Sequence, residues 1–161
     1  MTMTTPKQTS KDTRTTPIDN SYPSCDRTCA ELRIYPTAIS AAAVSSLLGL
    51  LPSELGEQGE VRQTSRGTTR TIKKTHWILS SEPCIVSKDL RVHLDWLLDL
   101  IEPKVDVLEE LASMSGTKIS IGCIWWSAMG HGGPTFWPEQ LLRLGKLGVE
   151  VGFDIQFHDP E

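Results

Sequence analysis

Residues 149–158 read VEVGFDIQFH. Val149, Val151, Phe153, Ile155 and Phe157 alternate there with Glu150, Gly152, Asp154, Gln156 and His158. A period of two belongs to an extended strand, whose successive side chains point to opposite faces, and it cannot form a helical stripe. The chain must therefore build a sheet with one apolar face, and that face needs a cover.

Candidate covers stand elsewhere in the chain. Within residues 88–114, Leu90, Leu94, Leu97, Ile101, Leu108 and Leu111 recur at spacings of three and four, while Asp89, Asp95, Asp99, Glu109 and Glu110 lie off that stripe. This is an amphipathic helical pattern, and Pro103 divides it into two helices or one kinked helix. Residues 37–48, closed by Gly49, predict a shorter helix, and residues 138–147 another. Further strands are expected at 25–35, where Ala30, Leu32 and Ile34 alternate with Glu31, Arg33 and Tyr35, at 76–80 and at 117–126. From Pro52 to Lys74 the periodicity fails, which predicts a long mobile connection with an irregular strand or hairpin inside it.

The order strand, helix, strand, long helix, strand, helix, strand predicts an α+β fold. Pro36-Thr37 leading to Leu48-Gly49-Leu50 is echoed by Pro134-Thr135 leading to Leu147-Gly148-Val149. The expected architecture is a four-stranded, mostly antiparallel sheet with helices packed on one face. It would consist of two βαβ-like halves joined by a long kinked helix, a sandwich related to the ferredoxin-like one. Residues 1–23, rich in threonine and poor in large apolar side chains, are expected to be a disordered tail, and 24–161 a single domain.

Several segments, taken in order, resemble one family. They are Leu48-Gly49-Leu50-x-Pro52 with Gly59-Glu60, Trp77-x-Leu79-Ser80-Ser81-Glu82, His93-Leu94-x-Trp96-Leu97-Leu98 with Glu102-Pro103, Gly132-Gly133-Pro134, and Leu147-Gly148-Val149-x-Val151-x-Phe153-Asp154-Ile155. This succession resembles the small, mostly bacterial family called domain of unknown function 4279. The resemblance implies a compact α+β domain and carries no assigned activity. Trp137 departs from the small polar residue that the family often places before the last helix, so that helix start is expected to be capped by Thr135 or held by packing.

Charge and cysteine usage narrow the function classes. With 16 basic and 20 acidic residues the net charge is -4, which argues against specific nucleic-acid binding. No apolar run approaches the roughly 20 residues of a membrane-spanning helix, and MTMTTPKQTS offers no hydrophobic leader, so a cytoplasmic protein is expected. Cys25, Cys29, Cys84 and Cys123 form neither a dense disulfide framework nor a zinc ribbon. Free thiols, no metal and no cofactor are the expectation. His93 is expected to be a half-buried surface histidine.

Three places are candidate sites. In the loop with Gly130, His131, Gly132, Gly133 and Pro134, the glycines suit either a strand-to-helix corner with positive φ or close approach to a ligand, but no nucleophile elbow or phosphate-loop lysine accompanies them. The polar sheet face should gather Glu31, Arg33, Tyr35, His76, Ser120, Trp126, Glu150, Asp154 and His158, with Trp125 turned to the core. The stretch holding Arg62, Arg66, Arg70, Lys73 and Lys74 could clamp an anion or simply be solvated. The reading that follows is a non-enzymatic binding or interaction domain, an immunity-type or accessory factor, whose partner is another protein or a second copy. Its alternatives are a small hydrolase or transferase using Asp154, His158 or His131 with Glu31, and an anion sensor using Trp126 and the arginine loop.

Overall fold

β1 (Cys25–Tyr35), the longest strand, is the middle of a five-stranded sheet in the computed structural model, which describes residues 15–157. Its neighbours are β5 (His76–Ser80) and β6 (Lys118–Ser127), both antiparallel to it. β2 (Glu54–Gly56) adds to the outside of β5, and β7 (Glu150–Phe157) lies parallel to β6 at the other edge, giving the order β2-β5-β1-β6-β7. The fold class is thus α+β as expected, but the sheet has five strands rather than four. The added strand falls within 52–74, where β3 (Val61–Gln63) and β4 (Thr69–Thr71) also form a separate two-stranded hairpin.

Only the second half is a parallel βαβ unit, made of β6, α4 (Pro138–Leu147) and β7. The first half differs because the chain, after α1 (Ala41–Leu48), builds β2 and the hairpin and returns antiparallel to β1. The echo between the two halves therefore marks similar helix ends and no common topology. Both helices do close on a left-handed glycine, Gly49 at φ 66° and Gly148 at φ 64°. The kinked helix appears as α2 (Leu90–Ile101) and α3 (Val105–Ser113), separated by one 3-10 turn, Glu102–Lys104, that holds Pro103.

The helices cover one face. Ala30, Leu32, Ile34, Trp77, Leu79, Ile121, Cys123 and Trp125 from the strands join Val44, Leu48, Leu94, Leu97, Leu108 and Leu144 from the helices in one core. Trp77 donates its indole N–H to Ser45 Oγ at 2.8 Å, which lets a large aromatic be fully buried without an orphan donor. His93 is buried as well, not half-exposed. Its Nε2–H donates to the Ser87 carbonyl at 2.9 Å, so Nδ1 accepts from Ser81 Oγ at 2.8 Å, and Ser81 accepts in turn from Ala30 N–H at 2.9 Å. Burial lowers the imidazole pKa and favours the neutral ring that this relay requires.

The start of α2 carries the tightest polar cluster. Asp89 caps the helix by accepting from Arg91 N–H, and its carboxylate grips the Arg91 guanidinium at 2.6 and 2.9 Å, with both side chains essentially without solvent exposure. Burial would raise the Asp89 pKa, but Arg91 and the backbone N–H groups of Asp19 and Arg91 outweigh it and hold the carboxyl below its usual range. Arg91 uses its remaining donors on the carbonyls of Thr16 and Pro17, at 2.7 and 2.8 Å, and lies 4.8 Å from the Trp137 ring centroid. Thr16 to Tyr22 falls within the segment whose composition predicts a tail. Here it is tied to the domain, with Tyr22 also edge-on to Trp125 at 5.2 Å. The rest of the expected tail, residues 1–14, lies outside the described residues.

Removing the cation should expose how much this cluster holds. Arg91→Met strands a buried carboxylate and is expected to lower unfolding free energy by about 3–5 kcal/mol, measured by urea denaturation. Arg91→Met combined with Asp89→Leu should recover part of that loss.

Candidate functional site

The face of the sheet turned away from the helices is built by alternation on each strand. Register places Ile78, Arg33, Ser120 and Glu150 in one row, Ser80, Glu31, Gly122 and Gly152 in the next, then Cys29, Ile124 and Asp154, then Arg27, Trp126 and Gln156. His76 and Tyr35 extend it toward β2 and the strand ends. Glu31, Arg33, His76, Trp126 and Asp154 therefore share one face, as their positions in the alternation predict. His158, the remaining member of that set, lies outside the described residues.

Two glycines shape this surface. A Cβ on Gly122 would fall 2.7 Å from Arg33 Cζ, so the guanidinium lies flat across β6, and Arg33 Nε reaches Glu31 at 2.9 Å. A Cβ on Gly56 would fall 2.6 Å from His76 Cε1, so the imidazole lies across β2, its two nitrogens bonded to the Lys74 carbonyl at 3.1 Å and Glu54 at 3.2 Å. Both side chains are thereby held against the sheet by small neighbours. Trp126 is half-buried and its ring is covered by Arg27, whose Cζ stands 3.9 Å from the centroid and which also pairs with Glu82 at 3.3 Å. A cleft of about 420 Å³ lies beside Glu31, Arg33, Tyr35, Ser53 and Glu82, and one of about 400 Å³ adjoins it at Glu54, Arg70 and His76.

Arg27, Glu54 and Glu82 belong to this face and were not among the expected site residues. Arg27 had a usable signal, since it stands in phase with Glu31 and Arg33 two and three alternations along. A bulge between Cys25 and Arg27 turns Cys25 into the helix-side core while Cys29 stays on the other face. Glu54 lies on a strand of three residues, too short to alternate visibly.

Among the described residues, the expected acid–base groups Glu31, His131 and Asp154 stand apart, and His158 lies outside the described residues. Glu31 is held by Arg33 and sits on β1, while Asp154 is on β7 with β6 between them and one row further along, roughly 12 Å away by strand spacing and rise. His131 is exposed in the loop after β6, where its carbonyl accepts from Ser127 Oγ at 2.9 Å. Gly130 and Gly132 have φ of 70° and 86°, and a Cβ on Gly132 would meet Ser24 Oγ at 2.6 Å, so these two glycines serve the turn and its packing. Gly133 and Pro134 carry the chain on toward α4, with Tyr22 Oη donating to the Gly133 carbonyl at 3.4 Å. Thr135 does not cap the start of α4, whose first residue is preceded by Trp137, packed against Arg91. Gln140 Oε1 accepts from Trp137 N–H at 3.1 Å, and the indole donates to the Thr16 carbonyl at 3.2 Å.

The arginine stretch is dispersed. Arg62 is engaged by Glu60 at 2.7 and 3.0 Å and by the Leu55 carbonyl at 2.6 Å, Arg66 lies at the hairpin turn, and Arg70 faces Arg62 across the hairpin. Lys73 and Lys74 instead meet Lys118 around a cleft of about 640 Å³ that also touches Tyr35 and Thr75. Among the described residues, no three His, Cys, Asp or Glu side chains form a group able to hold a metal ion. Burial raises the thiols of Cys25 and Cys29 to about 11 and of Cys123 to about 12, which keeps them protonated and unreactive.

No curated protein and no solved structure matches the chain. A family model described as domain of unknown function (DUF4279) matches residues 26–158, and the chain belongs to that family.

The seat under Arg33 can be tested directly. Gly122→Ala should displace only the flexible end of Arg33 and cost less than about 1 kcal/mol, whereas in an Arg33→Ala background the same change should become neutral or stabilising, because alanine has the better strand propensity. Urea denaturation of the four chains measures this coupling.

Proposed function

We propose that this family member is a binding module that recognises a protein partner through the helix-free face of its sheet, as an accessory or immunity-type factor in the cytoplasm. One observation carries the reading: the helices pack on a single side, and the other presents Arg27, Glu31, Arg33, His76, Trp126 and Asp154 on one broad surface. Arginine and tryptophan are the side chains that most often anchor protein interfaces, and Arg33 and Trp126 are both pre-positioned by neighbours. Pre-positioning reduces the entropy lost on association. The charges alternate in sign across the face, which favours selective pairing over general adhesion. Four free cysteines suit a reducing compartment. Among the described residues no helix is long and apolar enough to cross a membrane.

The test is affinity capture from the cells that make the protein, comparing the native chain with Arg33→Glu/Trp126→Ala. A partner retained by the native chain and lost by the variant, with unchanged thermal unfolding of both, supports this reading. A partner held equally by both chains, or none held by the native chain, overturns it.

A second reading rests on the cleft of about 640 Å³, where Lys73, Lys74 and Lys118 line the wall with no carboxylate among the lining residues. Three cations gathered in one recess of an acidic protein suit a small polyanion, and the volume falls within the usual ligand range. Citrate, inorganic phosphate and ATP are suitable probes in a thermal-shift series. At least one should raise the midpoint in the native chain and lose that effect in Lys74→Glu/Lys118→Glu; no shift with any of them argues against the reading.

A further inference from the structure

The two edges of the sheet are finished differently. β2 is three residues long, and the Leu55 carbonyl on it is taken by Arg62 Nη2. Shortness and a capping charge are usual means of blunting an edge. β7 has eight residues, no proline, lysine or arginine, and no register shift against β6. Among the described residues its outer side pairs with no strand.

The helix side of β7 is only partly covered: Val151 and Ile155 pack on the core, and Phe153 meets the Phe136 ring at 5.6 Å. Phe153 is 53% exposed and Phe157 62%, although Cys123, the register partner of Phe153 on β6, is completely buried. α4 is drawn toward α2 because Arg143 reaches Asp95, Asp99 and Glu102. Leu141, roughly 160° around the helix from Arg143 by helical geometry, is left 54% exposed. An apolar strip thus accompanies an unpaired strand.

We propose that β7 pairs antiparallel with β7 of a second copy of this chain, about a twofold axis passing beside Phe153, and joins two sheets into one. The strand complements itself in that register. Phe153 of one copy faces Phe153 of the other, and Val151 faces Ile155. On the opposite face Asp154 meets Gly152 and Glu150 meets Gln156, so no carboxylate opposes another. Moving the axis to Gly152 would set Glu150 against Asp154, and moving it to Asp154 would set that residue against itself. Registers with the axis farther along leave Phe153 or Phe157 without an opposite strand residue or shorten the ladder. Any odd shift would turn phenylalanines to the polar face. The pairing leaves the helix-free face open, so it is independent of partner recognition there.

Light scattering coupled to size exclusion should give twice the chain mass of 17.8 kDa, and Phe153→Asp should give a single-chain mass with an unchanged circular dichroism spectrum. A trapping experiment fixes the register even if that variant folds poorly. In a Cys84→Ser background, Phe153→Cys should oxidise to a covalent dimer in high yield, because directly opposed strand residues lie within disulfide reach. Gln156→Cys should not, since its two copies would be roughly 20 Å apart by strand rise. A single-chain mass for the native protein, a dimer that survives Phe153→Asp, or preferential trapping at position 156 would overturn the proposal. Arg33→Glu/Trp126→Ala should leave the mass unchanged, which separates this surface from the other.

Discussion

The Arg91 guanidinium is the point at which separate parts of the chain are made to agree. Its carboxylate partner, Asp89, caps α2, while its other donors hold the carbonyls of Thr16 and Pro17 and its plane lies by Trp137 at the start of α4. Gln140, one turn into α4, donates to the Arg91 carbonyl at 3.0 Å. A charge taken out of water tolerates few geometries, because each unsatisfied donor has no solvent to turn to. The cluster therefore fixes where α4 begins, and with it the crossover that lays β7 alongside β6.

That placement has two consequences for the surface. With α2 over β1 and α4 pulled to α2, the cover is concentrated over the middle of the sheet, so the helix side is dry at the centre and open at the β7 edge. Among the described residues no helix packs on the other face, and its polar groups satisfy one another in short pairs: Glu31 with Arg33, Glu54 with His76, Asp154 with Gln156. Such a surface is ordered without being enclosed.

Much of this was legible in the residues, for reasons that differ by element. The alternation through Phe153 and Ile155 and the Leu90 to Leu111 stripe each encode a local conformation and a buried side, and the break at Pro103 follows from a missing N–H. That Glu31, Arg33, His76, Trp126 and Asp154 share a face followed from the same parity, as did the division of Trp125 and Trp126 between the core and the far side. Strand direction was not legible, because nothing local to Trp77 states whether β5 runs with β1 or against it. That a strand within 52–74 joins the main sheet escaped because the three residues of β2 show no period. The anchoring of Thr16 and Pro17 escaped for another reason: the shortest bonds they accept from Arg91 go to two backbone carbonyls, which every residue has, and composition reports only side chains. His93 was legible as a residue beside the apolar stripe, but its burial depends on Ser81, twelve positions earlier, arriving beside it.

The bond from Arg62 to the Leu55 carbonyl has a meaning beyond its own geometry. A sheet with two receptive borders can accept a neighbour on each and propagate, as fibres do; a sheet with one closed border cannot. One arginine donor at the far end of the sheet thus limits how many chains any strand-to-strand association could recruit, and makes a finite assembly the natural end point.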